Sequence, residues 1–100
     1  MRFLNTNQYK KNTDGKKTLT VVLPENLDYT TLFMDVFRKY LSSLELISVK
    51  TTNMGSLYKI QYEIKLKDPR REKEFIDELR TRNGNLEITC AKATLNQELL

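Results

Sequence analysis

The sequence predicts an α+β fold: one four-stranded antiparallel sheet with two helices on one face, the ferredoxin-like split βαβ arrangement (βαββαβ). Three observations lead there. Segments of strand and helix period alternate in the order strand, helix, strand, strand, helix, strand. Residues 57–67 alternate almost without fault, with Tyr58, Ile60, Tyr62, Ile64 and Leu66 on one face and Lys59, Gln61, Glu63, Lys65 and Lys67 on the other. Two helix starts are marked by an aspartate, Asp28 and the Asp68-Pro69 pair, each ahead of apolar residues at helical spacing.

The elements follow in chain order. Thr18 to Leu23 sets Leu19, Val21 and Leu23 against Thr18, Thr20 and Val22, and Pro24 ends the strand. Asp28 is a helix N-cap whose carboxylate accepts from the first free amides, and Leu27 and Leu32 have the spacing of a hydrophobic staple. Leu32, Phe33, Val36, Phe37, Tyr40 and Leu41 then make the buried stripe, with Asp35, Arg38 and Lys39 outward. Leu46 to Thr52 is the second strand, with Ile47 and Val49 expected on its inner face. Asn53-Met54-Gly55-Ser56 turns the chain, Gly55 being free to take positive φ. After the third strand, Pro69 stands at the first helical position, where its missing donor costs nothing. Phe75, Ile76 and Leu79 are the inner face of this helix; Lys73–Asp77 and Glu78–Arg82 are spaced as exposed pairs. Asn83-Gly84 stops it. Leu86, Ile88 and Cys90 alternate with Glu87, Thr89 and Ala91 as a fourth strand. Right-handed crossovers make strands one and three central.

A chain of 100 residues with 39% hydrophobic and 30% charged side chains has room for one modest core. It holds no His and a single Cys, which removes disulfide frameworks, Cys/His zinc sites and His-dependent triads. No P-loop, dinucleotide fingerprint or metal-ligand cluster appears, and Glu74 and Glu78 read as a solvated helix face. Catalysis is not expected, nor any cofactor or metal. Cys90, between Thr89 and Ala91, reads as a small buried hydrophobe, and its lack of an intrachain partner agrees with a reducing compartment.

The net charge of +4 is unevenly placed. Residues 1–17 carry five basic side chains, Arg2, Lys10, Lys11, Lys16 and Lys17, against Asp14, so the rest of the chain, with twelve of each sign, is neutral. The chain therefore divides into a basic tether at 1–17, a folded body at 18–93 and a tail at 94–100. The tether reads either as a solvated terminus or as a juxtamembrane segment whose Lys10, Lys11, Lys16 and Lys17 meet an anionic membrane surface. No stretch approaches the roughly 20 apolar residues of a membrane span, and the start lacks the apolar region of an export signal.

Pro24-Glu25-Asn26-Leu27-Asp28-Tyr29, the run Val49 to Leu57 and the run Phe75 to Ile88 stand in an order that resembles one family. This is the cytosolic C-terminal domain of a family of bacterial multi-pass membrane proteins of undetermined function. The resemblance covers residues 18–93. It implies a split βαβ domain similar to ACT domains, following membrane spans on the cytoplasmic side. The 100 residues contain no such spans. Some members are encoded near proteins resembling polyphosphate polymerases.

Counting chain reversals brings three loops to one end of the sheet: 24–27, 53–56 and 82–85. They present Asn26, Asn53, Ser56, Arg80, Arg82, Asn83 and Asn85, amides and guanidiniums able to hold a small polar or anionic ligand. The same residue types are also what tight turns require. ACT-type amino-acid sensors carry a glycine in the first strand-to-helix loop, and Pro24-Glu25-Asn26-Leu27 has none. RNA binding through the sheet is not expected, because Tyr58 and Tyr62 share the core face with Ile60 and Ile64 and leave no stacking platform. The reading that remains is a cytoplasmic assembly or regulatory domain with a protein partner or a homo-oligomer, no nucleic acid, and ligand sensing at the loop end as the alternative. Its contact seeds are Leu46, Leu57 and Val22 on the open face and Tyr29 or Met34 on the first helix.

Overall fold

A computed structural model describes residues 15–93. The architecture is α+β: one antiparallel sheet of four strands carries helices on one face, an arrangement compatible with a ferredoxin-like fold. The strands are β1 (Lys16–Pro24), β2 (Leu41–Thr52), β3 (Leu57–Leu66) and β4 (Ile88–Lys92), in the order β2-β3-β1-β4. The central pair, β1 and β3, face each other with Leu19 opposite Tyr62, Val21 opposite Ile60 and Leu23 opposite Tyr58. Directly opposed residues share a face. That face is the core side, and Leu19, Val21, Leu23, Ile60 and Ile64 on it are inaccessible to solvent.

The first helical stretch is two pieces, α1 (Tyr29–Leu32) and α2 (Met34–Tyr40), with Phe33 at φ −109° and ψ 7° between them. Asp28 caps α1, its carboxylate accepting from the Thr30 amide at 3.0 Å. The interruption leaves most of the expected stripe on the inner side, since Phe33, Val36, Phe37 and Tyr40 are buried, while Leu32 is partly buried and Leu41, also buried, already belongs to β2. A 3-10 turn at Pro69–Arg71, capped by Asp68 through the Arg70 amide, leads into α3 (Glu72–Arg80). Phe75 and Leu79 of α3 are buried in the same core cluster. Phe37 is the joint: its ring lies 5.1 Å from that of Tyr62, 5.6 Å from Phe33 and 6.2 Å from Phe75. Both helical layers thus pack on the sheet through contacting aromatic rings.

Two expectations about β2 change. The strand begins at Leu41 rather than Leu46, directly after α2, and it is bulged at Ser42 and at Ile47. An extra residue at Ile47 shifts the alternation: Leu44 and Leu46 lie opposite Ile64 and Tyr62, and beyond the bulge Val49 and Thr51 lie opposite Ile60 and Tyr58. Leu46 is therefore on the helix side, not on the open face, and Ile47 is the inserted residue rather than an inner-face one. A second boundary also moves. β1 starts at Lys16, so Lys16 and Lys17 belong to the sheet and not to the tether. Lys10, Lys11 and the tail at 94–100 lie outside the described residues.

The turn at 53–56 takes three consecutive positive φ values, Asn53 at 56°, Met54 at 59° and Gly55 at 86°, where only Gly55 was expected to. Ser56 Oγ donates to the Asn53 carbonyl at 2.8 Å and helps hold this conformation.

Truncating the buried ring of α3 that meets Phe37 and Tyr40 should cost far more than truncating an exposed side chain of β2. Phe75→Ala is expected to lower stability by about 3–5 kcal/mol in urea unfolding. Leu46→Ser, at a residue 51% exposed, should change the monomer's stability by no more than about 1 kcal/mol.

Candidate functional site: a loop end and an uncovered strand

The loop end was the first candidate, and most of its polar groups are already engaged. Asn83 is fully buried and acts as a clamp: Nδ2 donates to the Val22 carbonyl at 2.7 Å and to the Leu86 carbonyl at 3.1 Å. Its Oδ1 is buried without a partner among the described residues. Arg82 reaches from the end of α3 to the first helical stretch, donating to the Leu32 carbonyl at 3.1 Å and forking onto the Asp35 carboxylate. That fork holds the Asp35 carboxyl well below the usual range, at about 2. Arg80 lies beside Asp77 at 3.8 Å and shares an open depression with it, Thr81, Gly84 and Asn85. Asn26, Asn53 and Ser56 are exposed and stand outside that depression. The loops themselves do meet, since the Glu25 amide donates to the Ser56 carbonyl at 3.0 Å. The loop end is thus real as a place, but Arg82 and Asn83 work inside the fold.

The basic residues divide in the same way. Lys17 donates to Glu72 of α3 at 2.6 Å, and this hydrogen bond raises the Lys17 ammonium above its ordinary value. Lys16 lies 3.7 Å from Glu63 on β3. Near the Lys17–Glu72 pair, burial pushes the Cys90 thiol up to about 11, which keeps it protonated and a poor nucleophile. Among the described residues no three His, Cys, Asp or Glu side chains gather where they could hold a metal ion. No helix among them is long and apolar enough to cross a membrane.

What stands open is β2. Among the described residues it occupies an edge of the sheet, hydrogen-bonded on one side only, to β3. Of its twelve residues, Leu41 alone enters the core cluster. Leu44, Leu46, Ile47 and Val49 are each between 38% and 51% exposed, although three of them point to the helix side. The reason is coverage. Phe33, Phe37 and Phe75 seat the helices over β1 and β3, and nothing among the described residues lies over the outer part of β2. Between α2 and β2 this leaves a groove of about 520 Å³, with Met34, Phe37, Leu41, Leu44, Leu46 and Tyr62 along its walls. Burial raises the Tyr62 hydroxyl to about 12. Met34, on the far wall, is 48% exposed.

Sequence reasoning singled out Met34 and Leu46 but missed Leu44 and the groove. The signal was present as an apolar run, Leu44-Glu45-Leu46-Ile47-Ser48-Val49, whose broken alternation is what a bulge produces.

Neither the family models nor the curated proteins searched contain a match to this chain.

Replacing Asp35 tests the clasp between α3 and the first helix. The folded carboxyl titrates lower than an unfolded one near 4, so the fork stabilises the fold fully above that range and loses its effect as pH falls through about 2. Asp35→Asn should therefore be less stable than the parent at pH 7, with the gap closing as the pH is lowered from about 4 to about 2 in urea titrations.

Proposed function

We propose that this chain is a non-enzymatic assembly or regulatory domain, ferredoxin-like and similar to ACT domains, serving a bacterial membrane protein from its cytoplasmic face. The observation that carries the assembly reading is β2: a twelve-residue edge strand with four half-exposed apolar residues beside an apolar groove. An edge strand presents unpaired backbone donors and acceptors, and soluble proteins ordinarily blunt such edges with charge, proline or a covering element. Apolar surface of this kind marks an interaction site.

The ferredoxin-like assignment is supported by the central placement of β1 and β3, with β2 and β4 at the edges. The membrane setting rests on the family resemblance of residues 18–93 and on the basic leader. With Lys16 and Lys17 held by Glu63 and Glu72, electrostatic attraction to an anionic leaflet falls to Arg2, Lys10 and Lys11. Ligand sensing at the loop end is the second reading, favoured by the contact between loops 24–27 and 53–56.

An amide chemical-shift titration of the 100-residue chain separates the two. The panel is amino acids, nucleotides, polyphosphate and anionic vesicles. The assembly reading expects no ligand shifts at Asn26, Asn53, Ser56, Arg80, Arg82, Asn83 and Asn85. Saturable shifts confined to those residues would replace it with a sensor. In the vesicle arm, Lys10→Gln and Lys11→Gln should each weaken binding roughly fivefold, about 1 kcal/mol per lysine near the surface. Lys16→Gln should change it little.

A further inference from the structure

We infer that the partner of the β2 edge is a second copy of this chain, paired antiparallel across a two-fold axis that sets Glu45 of each copy against Lys50 of the other. This rests on the assembly reading and names its partner.

The argument begins with charges that β2 leaves unbalanced. In the β2–β3 register Glu45 lies opposite Glu63, and Lys50 lies opposite Lys59. Like charges directly opposed across strands are unfavourable. Glu63 has Lys16 at 3.7 Å, whereas Glu45, Lys50 and Lys59 form no ion pair among the described residues. The two like-charge pairs are of opposite sign and stand on one strand, five positions apart. A strand with that layout is complementary to itself when it runs antiparallel to a copy, since each acidic pair then falls beside a basic one. Two-fold pairing is the arrangement in which one surface serves both partners.

The bulge decides whether that register is also right for the side chains. In an unbroken strand Leu46 and Val49 would lie on opposite faces, being three residues apart. The extra residue at Ile47 puts both on the helix side, opposite Tyr62 and Ile60. Pairing Glu45 with Lys50 of the partner copy then sets Leu46 beside Val49 and Leu44 beside Thr51, all on the helix side. Backbone donors and acceptors alternate between edges in step with the faces, so the hydrogen-bonding phase agrees as well.

The result is one row across four strands on the open face, Glu63, Glu45, then Lys50 and Lys59 of the partner copy. A second row on the covered face runs Tyr62, Leu46, then Val49 and Ile60 of the partner copy. Bulges usually protect edges from pairing. Here the bulge makes the charge-matched register the face-matched one.

Light scattering of the 100-residue chain over a concentration series tests this. The parent should dimerise. Glu45→Lys and Lys50→Glu should each weaken the dimer tenfold or more, because two attractive cross-strand pairs become repulsive. The double swap, E45K with K50E, should restore it. Mixing the two single variants should yield the mixed dimer in preference to either homodimer. Restoration and mixing are readouts that misfolding cannot mimic.

A monomer at every concentration overturns the second copy as partner. A dimer sensitive to Leu46→Lys but indifferent to all three charge variants overturns the register. Neither result touches the assembly reading, which is tested by the ligand titration of the loop end.

Discussion

The ring of Phe37 holds this domain together. It is the place where α2, α3 and the sheet meet, touching Phe75 across the helices and Tyr62 below them. Tyr40 extends the cluster, its ring 5.6 Å from that of Phe75 and its hydroxyl donating to Glu78 of α3. A small domain has one core, so where the helices sit is set by where these rings interlock. They interlock over the two central strands. Everything else about the molecule, including what it leaves exposed, follows from that position.

Short helices seated centrally cannot cover a wide sheet. β2 runs for twelve residues at one edge and receives little of the helical cover, and Leu44, Leu46 and Val49 face the helix side yet stay half-exposed. Four apolar side chains left half-exposed on one strand are the surface on which the proposed assembly rests. The charge layout adds direction to that surface, since hydrophobic area alone does not choose a partner or a register.

The polar groups follow the opposite rule. The residue types that suggested a ligand site are largely consumed in fixing the loops: Asn83 clamps the 82–86 segment to β1, and Arg82 ties α3 to Leu32 and Asp35. Lys17 joins β1 to α3 through Glu72. Such groups read identically in a sequence whether they bind a ligand or a neighbouring loop, because turns and anion sites use the same amides and guanidiniums.

The sequence by itself determined the elements whose cause is local. The alternation of β3 and the caps at Asp28 and Asp68 are short-range facts of periodicity and hydrogen bonding, and each stands where the residues placed it, whereas α3 ends at Arg80, ahead of the expected stop at Asn83-Gly84. The inner face of α2 is of the same kind, since its stripe is read from spacing even though Phe33 interrupts the helix. Tertiary structure decided β2. Its early start at Leu41 and its two bulges depend on pairing with β3, a partner up to 25 residues away, and a one-residue insertion moves every later side chain to the other face. Exposure of Leu44 and Leu46 was likewise not legible. Whether an apolar residue is buried depends on how far the helical layer extends, and that distance is set by the packing of rings from distant parts of the chain.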